Sequence, residues 1–282
     1  MGRQSKKIVG TSFLVLIFVI MGVLLLFPIL WMIMASFKTN PEIFGSTNLF
    51  PKSFNPASYI QGWQGNGQYD YGKFFINTFL LVIPTTVFTV ISSSFVAYGF
   101  ARFRFPMKKQ LFALLISTLM LPNAVIIIPR YTLFNKFGWI NTYMPFYVPA
   151  ILACYPFFVF MLVQFMRGLP KDLDESAYLD GCGTLRVFTS ILLPLLKPAL
   201  FSAALFQFIW TYNDYFNPLI FINSVSKYTI SLALRMSVDA ESIVVWSNVM
   251  AMSCLSVIPL VVLFFVGQKY MVEGIATTGM KG

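Results

Sequence analysis

The sequence predicts an all-α membrane protein of six transmembrane helices with both termini in the cytoplasm. Three observations predict it. Of the 282 residues, 57% are hydrophobic and 11% charged; six apolar runs are long enough to cross a bilayer; and Lys and Arg are shared unequally among the connecting segments. An ordinary soluble domain is roughly 45–50% apolar and about 25% charged, so a water-soluble fold cannot hide this much apolar surface. Histidine is absent from the sequence, which removes His metal sites, Ser-His and Cys-His nucleophilic pairs and the usual acid–base group near neutral pH. Cys154, Cys182 and Cys254 are widely spaced without a C-x-x-C pattern, so neither a zinc site nor a disulfide framework is expected. No metal and no cofactor are predicted in this chain.

A crossing helix needs about 20 mainly apolar residues for a hydrocarbon core of roughly 30 Å. The first run, 11–34, is uncharged, follows Arg3, Lys6 and Lys7, and exits through Leu30, Trp31, Met32, Ile33 and Met34. A cleaved signal peptide has a shorter apolar stretch and a small-residue exit, so the run reads as an uncleaved span after a cytoplasmic N-terminus, 1–10. The segment 35–73 reads as an extracytoplasmic loop. The core, 74–270, holds the other runs at 74–100, 111–128, 144–165, 198–222 and 248–268, and a cytoplasmic tail, 271–282, closes the chain. Pro28, Pro84, Pro122, Pro149, Pro156, Pro218 and Pro259 fall in spans. Such prolines are tolerated where neighbouring helices satisfy the freed backbone groups, which implies a packed bundle. Ser92, Ser93, Ser94 and Asn123 read as packing residues in it.

Orientation follows from the basic residues. Thirteen of the 20 lie in one set of segments: Arg3, Lys6, Lys7; Arg102, Arg104, Lys108, Lys109; Arg167, Lys171, Arg186, Lys197; Lys269, Lys281. The other set holds Lys38, Lys52, Lys73, Arg130, Lys136, Lys227 and Arg235 over longer segments. The first set is therefore expected inside, against anionic lipid. The net charge of +10 is thus a topology signal and not a nucleic-acid patch.

One motif is a decoy. Gly67, Gly72 and Lys73 match the spacing of a phosphate-binding loop, but Phe74 stands where a Mg²⁺-binding hydroxyl is needed and no strand pattern precedes it. No ATPase site is expected here. The informative segment is the cytoplasmic loop 167–198. Pro170, Asp172, Asp174 and Glu175 look like a helix start, with acids complementing the N-terminal dipole. The expected helix gives way at Gly181 and Gly183, and a second apolar run leads through Leu193 and Pro194 into the fifth span. From the residues alone this is either a docking element or a surface-lying connector.

Glu175, Ser176, Ala177, Gly181, Ile191, Leu193 and Pro194 resemble the E-A-A-x3-G-x9-I-x-L-P signature of the permease subunits of ABC importers, with Ser176 in place of the second alanine. The resemblance implies a coupling helix that inserts into a cleft of an ATPase subunit, with Glu175 and Asp180 offering charge to basic groups there. Ala177 and Gly181, four apart, are expected to share one face and leave room for close approach. Gln268, Lys269, Tyr270, Val272, Gly274, Gly279, Lys281 and Gly282, and the run Tyr212, Asn213, Asp214 and Tyr215, look like the carbohydrate-importer permeases, specifically the maltose-type shorter subunit. Tyr212 replaces a tryptophan of that pattern. The similarity covers 71 to the end.

The resemblance implies a type I importer fold in a prokaryotic cell membrane, a second permease subunit, an ATPase dimer that binds ATP and Mg²⁺, and an extracytoplasmic sugar-binding protein. Lys281 and Gly282 would then contact the ATPase dimer. Gln207, Asn213 and Asp214 are candidates for the translocation pathway. Asp214 is the acidic residue within a predicted span, which marks it as a pathway group or as an interfacial hydrogen-bonding residue. Gln207 suits a sugar hydroxyl or, more commonly, a helix–helix hydrogen bond. The rival classes are an ion-coupled secondary transporter, opposed by a single intraspan acid and no visible duplication, and a channel subunit, which has no use for the 167–198 loop.

Overall fold

The computed structural model describes residues 3–65, 68–238 and 244–279, with side chains over 11–65, 68–238 and 244–268. Among the described residues all regular structure is helical. In chain order the helices are α1 (Arg3–Ala35), α2 (Asn40–Gly45), α3 (Ala57–Gln64), α4 (Tyr71–Arg102), α5 (Lys108–Thr118), α6 (Asn123–Lys136), α7 (Met144–Ile151), α8 (Pro156–Gly168) and α9 (Asp172–Leu179). They continue with α10 (Thr184–Arg186), a π-helical turn (Val187–Leu192), α11 (Leu193–Leu195), α12 (Lys197–Tyr212), α13 (Phe216–Phe221), α14 (Ile230–Val238) and α15 (Trp246–Gly279).

Four stretches are long and apolar enough to span a membrane: Thr11–Ala35, Tyr71–Arg102, Met144–Gly168 and Trp246–Gln268; the third, expected as one helix over 144–165, is interrupted between Ile151 and Pro156. Two bent pairs bring the number to six if each counts as one crossing. The single helix expected at 111–128 is corrected by the first bend; the second falls just before the span expected at 198–222, which is instead interrupted at 213–215. α5 and α6 meet at 102°, because Pro122 pushes Leu121 out of helical geometry. The helix entering the fifth span turns by 76° between Leu195 and Lys197. Pro198 lacks an N–H and its ring would clash with the carbonyl of Pro194 in a continuous helix; at the start of a new one it fits. α12 then stops at Tyr212, well before the expected Ile222.

The chain forms two compact units. The first comprises Met1–Tyr71 and Leu234–Ile258. Side chains of α1 are almost all exposed over 11–30, as a lipid-facing helix requires. The segment expected as a plain loop is held in place: Asn40 donates to the Val244 carbonyl (2.6 Å) and accepts from the Trp246 amide (2.9 Å). Gly62 packs so tightly that a Cβ would stand 3.0 Å from Met252 Cε and 3.2 Å from the Asn248 carbonyl.

The second unit comprises Gly72–Ala233 and Pro259–Gly282. Along α4, Thr78, Thr85, Thr89, Ser93 and Ala97 are buried while Ile76, Leu80, Ile83, Val87, Ile91 and Phe95 are exposed. Small residues inside let helices approach closely, and the apolar stripe outside suits lipid or a partner helix. Ser92 donates across to the Ala150 carbonyl at 2.6 Å, the packing use expected of it. A core joins the end of α4 (Ala97, Tyr98), α8 (Val159, Leu162, Val163, Met166), Ala177 of α9, the π-helical turn (Val187, Phe188, Leu192) and Ala199 of α12.

Candidate functional site

The first candidate is the 167–198 loop. α9 starts where the acids predicted it, with Asp172, Asp174 and Glu175 in its first turn. Its end is a left-handed glycine cap. The Gly181 amide donates to the Tyr178 carbonyl (3.0 Å), the Cys182 amide to that of Ala177 (2.9 Å), and Gly181 has φ +80°. This double bond pattern satisfies the last helical carbonyls and needs a residue that tolerates positive φ. The expectation that Ala177 and Gly181 share an open face is therefore corrected: Ala177 is buried in the core while Gly181 lies past the helix end in solvent. Glu175, Ser176 and Asp180 are exposed, Leu193 is half-buried and Pro194 exposed. The π-helical turn ends one residue short of Pro194, which cannot give the N–H that an α-helical turn would take from it.

Conformation alone sets the glycine requirement, because a Cβ at Gly181 meets nothing within 4 Å. Gly181→Ala is expected to destabilise by about 1 kcal/mol and Gly181→Asn by less. Gly183→Ala is the control, since Gly183 has φ −73° and equal space, and should shift stability by only a few tenths of a kcal/mol. Thermal melting in detergent checks the ranking; equal effects at both glycines would contradict the cap.

Asp174 shows what fixes this loop to the spans. Arg102, the last residue of α4, brings Nε to 2.6 Å from Asp174 Oδ2, with side chains 5% and 11% exposed. Arg102 Nη2 also donates to the carbonyls of Leu169 (3.3 Å) and Pro170 (3.4 Å). Yet Nε is not aligned for a hydrogen bond, and Arg102 Nη1 and Asp174 Oδ1 find no partner. Burial lifts the Asp174 carboxyl above the usual carboxylate range while Arg102 pulls it down. Tyr98 supports the joint, donating to the Thr184 carbonyl (3.2 Å) and stacking on Phe188 at 4.8 Å.

The second candidate is a cleft of ≈ 120 Å³ lined by Arg130, Phe146, Tyr155, Gln207, Trp210, Thr211, Asp214 and Asn217. It lies where helices are interrupted: α7 and α8 are separated by left-handed Ala153, and α12 and α13 by 213–215. Gln207 is buried and donates to Thr211 Oγ1 at 2.9 Å. Asp214 accepts from the Asn217 amide (3.1 Å) and from Asn217 Nδ2 (2.7 Å), so its carboxylate caps the first turn of α13. Asn213 is exposed and donates back to the Ile209 carbonyl (3.0 Å). It closes α12 and does not line the cleft, so the structure does not bring it together with Gln207 and Asp214 there.

Arg130 is the charged cleft residue that sequence reasoning missed, as it missed the aromatic wall of Phe146, Tyr155 and Trp210. With the third span ended at 128 it counted as a loop charge, whereas α6 carries it into the cleft. An arginine inside the run Ile126-Ile127-Ile128-Pro129-Arg130-Tyr131 was the signal. Lys281 and Gly282, like Gly67 of the decoy, lie outside the described residues. Gly72 and Lys73 of that decoy sit within the first turn of α4, and Phe74 is buried, so these residues do not form a phosphate loop.

Residues 89–276 match the family described as the binding-protein-dependent transport system inner membrane component. The chain is 33% identical over 281 residues to the probable ABC transporter permease protein YurM of Bacillus subtilis, covering 99% of this chain and 91% of that protein. It is 30% identical to the trehalose/maltose transport system permease protein MalG of Thermococcus litoralis, over 99% and 100% of the two chains. The arabinooligosaccharides transport system permease protein AraQ of Halalkalibacterium halodurans is 31% identical over 94% of each. In fold, the chain is similar to a subunit of a bacterial ABC transporter involved in the import of the acidic polysaccharide alginate, with TM-score 0.83, 18% identity, and 96% and 99% of the chains covered.

Proposed function

The chain belongs to the family of binding-protein-dependent transport system inner membrane components, and from that premise we propose that it is the permease subunit of an ATP-driven importer of a carbohydrate, a di- or oligosaccharide or a sugar derivative. It forms half of the pathway beside a second permease subunit, is driven by an ATPase dimer that holds ATP and Mg²⁺, and receives sugar from an extracytoplasmic binding protein. The observation that carries this reading is the 172–194 loop. It presents Glu175, Ser176 and Asp180 to solvent while Ala177 and the Arg102–Asp174 pair tie it to the spans. That is the construction of a lever: an exposed face for a motor, a buried face joined to the elements to be moved. Closure of the ATPase dimer pulls on α9, the motion passes into α4 and α8, and the pathway changes the side to which it opens. Rocking of one bundle against another is how membrane transporters alternate access. The chain supplies wall and lever and carries out no covalent chemistry.

Glu175 tests the reading, because it is exposed and its replacement leaves the core intact. Glu175→Lys is expected to lower sugar uptake and sugar-stimulated ATP hydrolysis about tenfold, as a like charge set against a basic partner costs roughly 1–3 kcal/mol. Membrane insertion should be normal. Wild-type coupling of ATP hydrolysis to uptake in the charge-reversed protein would overturn the lever.

A further inference from the structure

We propose that the Arg130–Trp210 cleft is a binding subsite for one uncharged sugar ring within this subunit; the inference rests on the importer reading above and adds which residues of this chain touch the cargo. Backbone interrupted at membrane depth is tolerated where it is buried in protein or lines a watery cavity, and discontinuous helices are where transport proteins place their ligands. The α7–α8 and α12–α13 interruptions both meet this cleft.

Its chemistry is amphipathic. Trp210 is 49% exposed, and its indole rests against Phe157 (4.9 Å) and Phe158 (5.3 Å), a supported apolar plate for the C–H face of a ring. Arg130 Nη1 donates to Asn123 Oδ1 (3.2 Å) and Nη2 is 3.5 Å from Asn217 Oδ1. Among the described residues Arg130 makes no ion pair within 4.0 Å. A guanidinium has five N–H donors, so Arg130 retains donors for hydroxyl or ring oxygens. The carboxylate that balances it, Asp214, is engaged by Asn217. Arg130 and Asp214 together leave the cleft with no net charge. An aromatic wall with a few fixed polar groups and balanced charge fits a neutral polyhydroxylated ring; a uronate would have to approach the Asp214 carboxylate.

The test is equilibrium binding of labelled maltose, an arabinose trisaccharide and an alginate trisaccharide to the purified permease–ATPase complex without its binding protein, so that this chain's preference is read directly. At least one neutral probe should bind the wild type more tightly than the alginate probe. Trp210→Ala and Arg130→Gln should each weaken that binding at least tenfold, whereas Trp210→Phe, which keeps a stacking face, should stay within about threefold. Asp214→Asn retains an amide oxygen able to cap α13 but leaves the cleft positive, and should strengthen alginate-probe binding several-fold. Co-purification with the ATPase confirms that each variant is folded. Unchanged affinity in Arg130→Gln and Trp210→Ala, or failure of both neutral probes to bind, would overturn the subsite and leave the importer reading standing. That reading falls separately, if no sugar-loaded binding protein stimulates ATP hydrolysis by the wild-type complex.

Discussion

Asp174→Ala is expected to lower the apparent melting temperature in detergent by about 10 °C and to reduce uptake to a few per cent. The substitution leaves the Arg102 guanidinium, 5% exposed, without its counter-charge. Breaking a buried ion pair from one side typically costs about 3–5 kcal/mol, and each kcal/mol moves the midpoint of a chain this size by roughly 2–4 °C. The pair is nevertheless not a strong net stabiliser, because Arg102 Nη1 and Asp174 Oδ1 have no hydrogen-bond partner. The sign of the Asp174 shift agrees. A carboxyl raised in the folded state contributes most below its unfolded value, and the contribution is lost as pH rises through the folded one. At neutral pH burial outweighs the pull of Arg102. Arg102→Met with Asp174→Leu should therefore recover most of the melting temperature. If the pair also holds the lever to α4, the apolar double variant keeps the link and recovers uptake as well. A double variant that melts as low as the single one would mean that the charges themselves stabilise the joint.

That pair marks the boundary of what the sequence discloses. The stretches at Thr11–Ala35, Tyr71–Arg102 and Trp246–Gln268 are legible because apolar length is a property of consecutive residues. The start of α9 is legible from its acids for the same reason. Asp174 and Arg102, 72 positions apart, look like a dipole-complementing acid and a topology-setting base. The first description fits the start of α9, and neither predicts that the two meet. The breaks at Pro122 and at 213–215 were hidden differently. A hydropathy run shows that a segment is buried in lipid or protein, but not whether its backbone stays helical, and membrane helices accommodate most prolines. Ending the third span at 128 assigns Arg130 to a loop, so the pathway candidates are Gln207, Asn213 and Asp214 alone. Gly181 is legible as the end of the helix, and the structure gives it a positive φ there; the close approach that its spacing from Ala177 suggests is not seen.

The exposed apolar residues of the same loop lead to the other large effect. Leu179 is 89% exposed and Leu185 65%, on a loop whose neighbouring apolar residues Ala177, Val187 and Phe188 are buried. Leucines so placed bury little within the chain itself, and on the importer reading their use is in the complex with the ATPase. Fully burying a leucine side chain is worth about 1.5–3 kcal/mol, so two of them docked in an ATPase cleft supply roughly 3–6 kcal/mol, or about 10²- to 10⁴-fold in affinity. Leu179→Asp with Leu185→Asp is therefore expected to abolish co-purification of the ATPase and all ATP-driven uptake. The isolated permease should melt normally, since exposed substitutions shift stability by about 0.5 kcal/mol or less. Leu179→Met with Leu185→Met, similar in volume and polarity, should retain the complex. Read together with Glu175→Lys, the experiment separates two contributions. On the importer reading the leucines hold the motor on, and the carboxylate sets its register. ATPase recovered in full with the doubly acidic variant would place the docking contact on other residues of the loop.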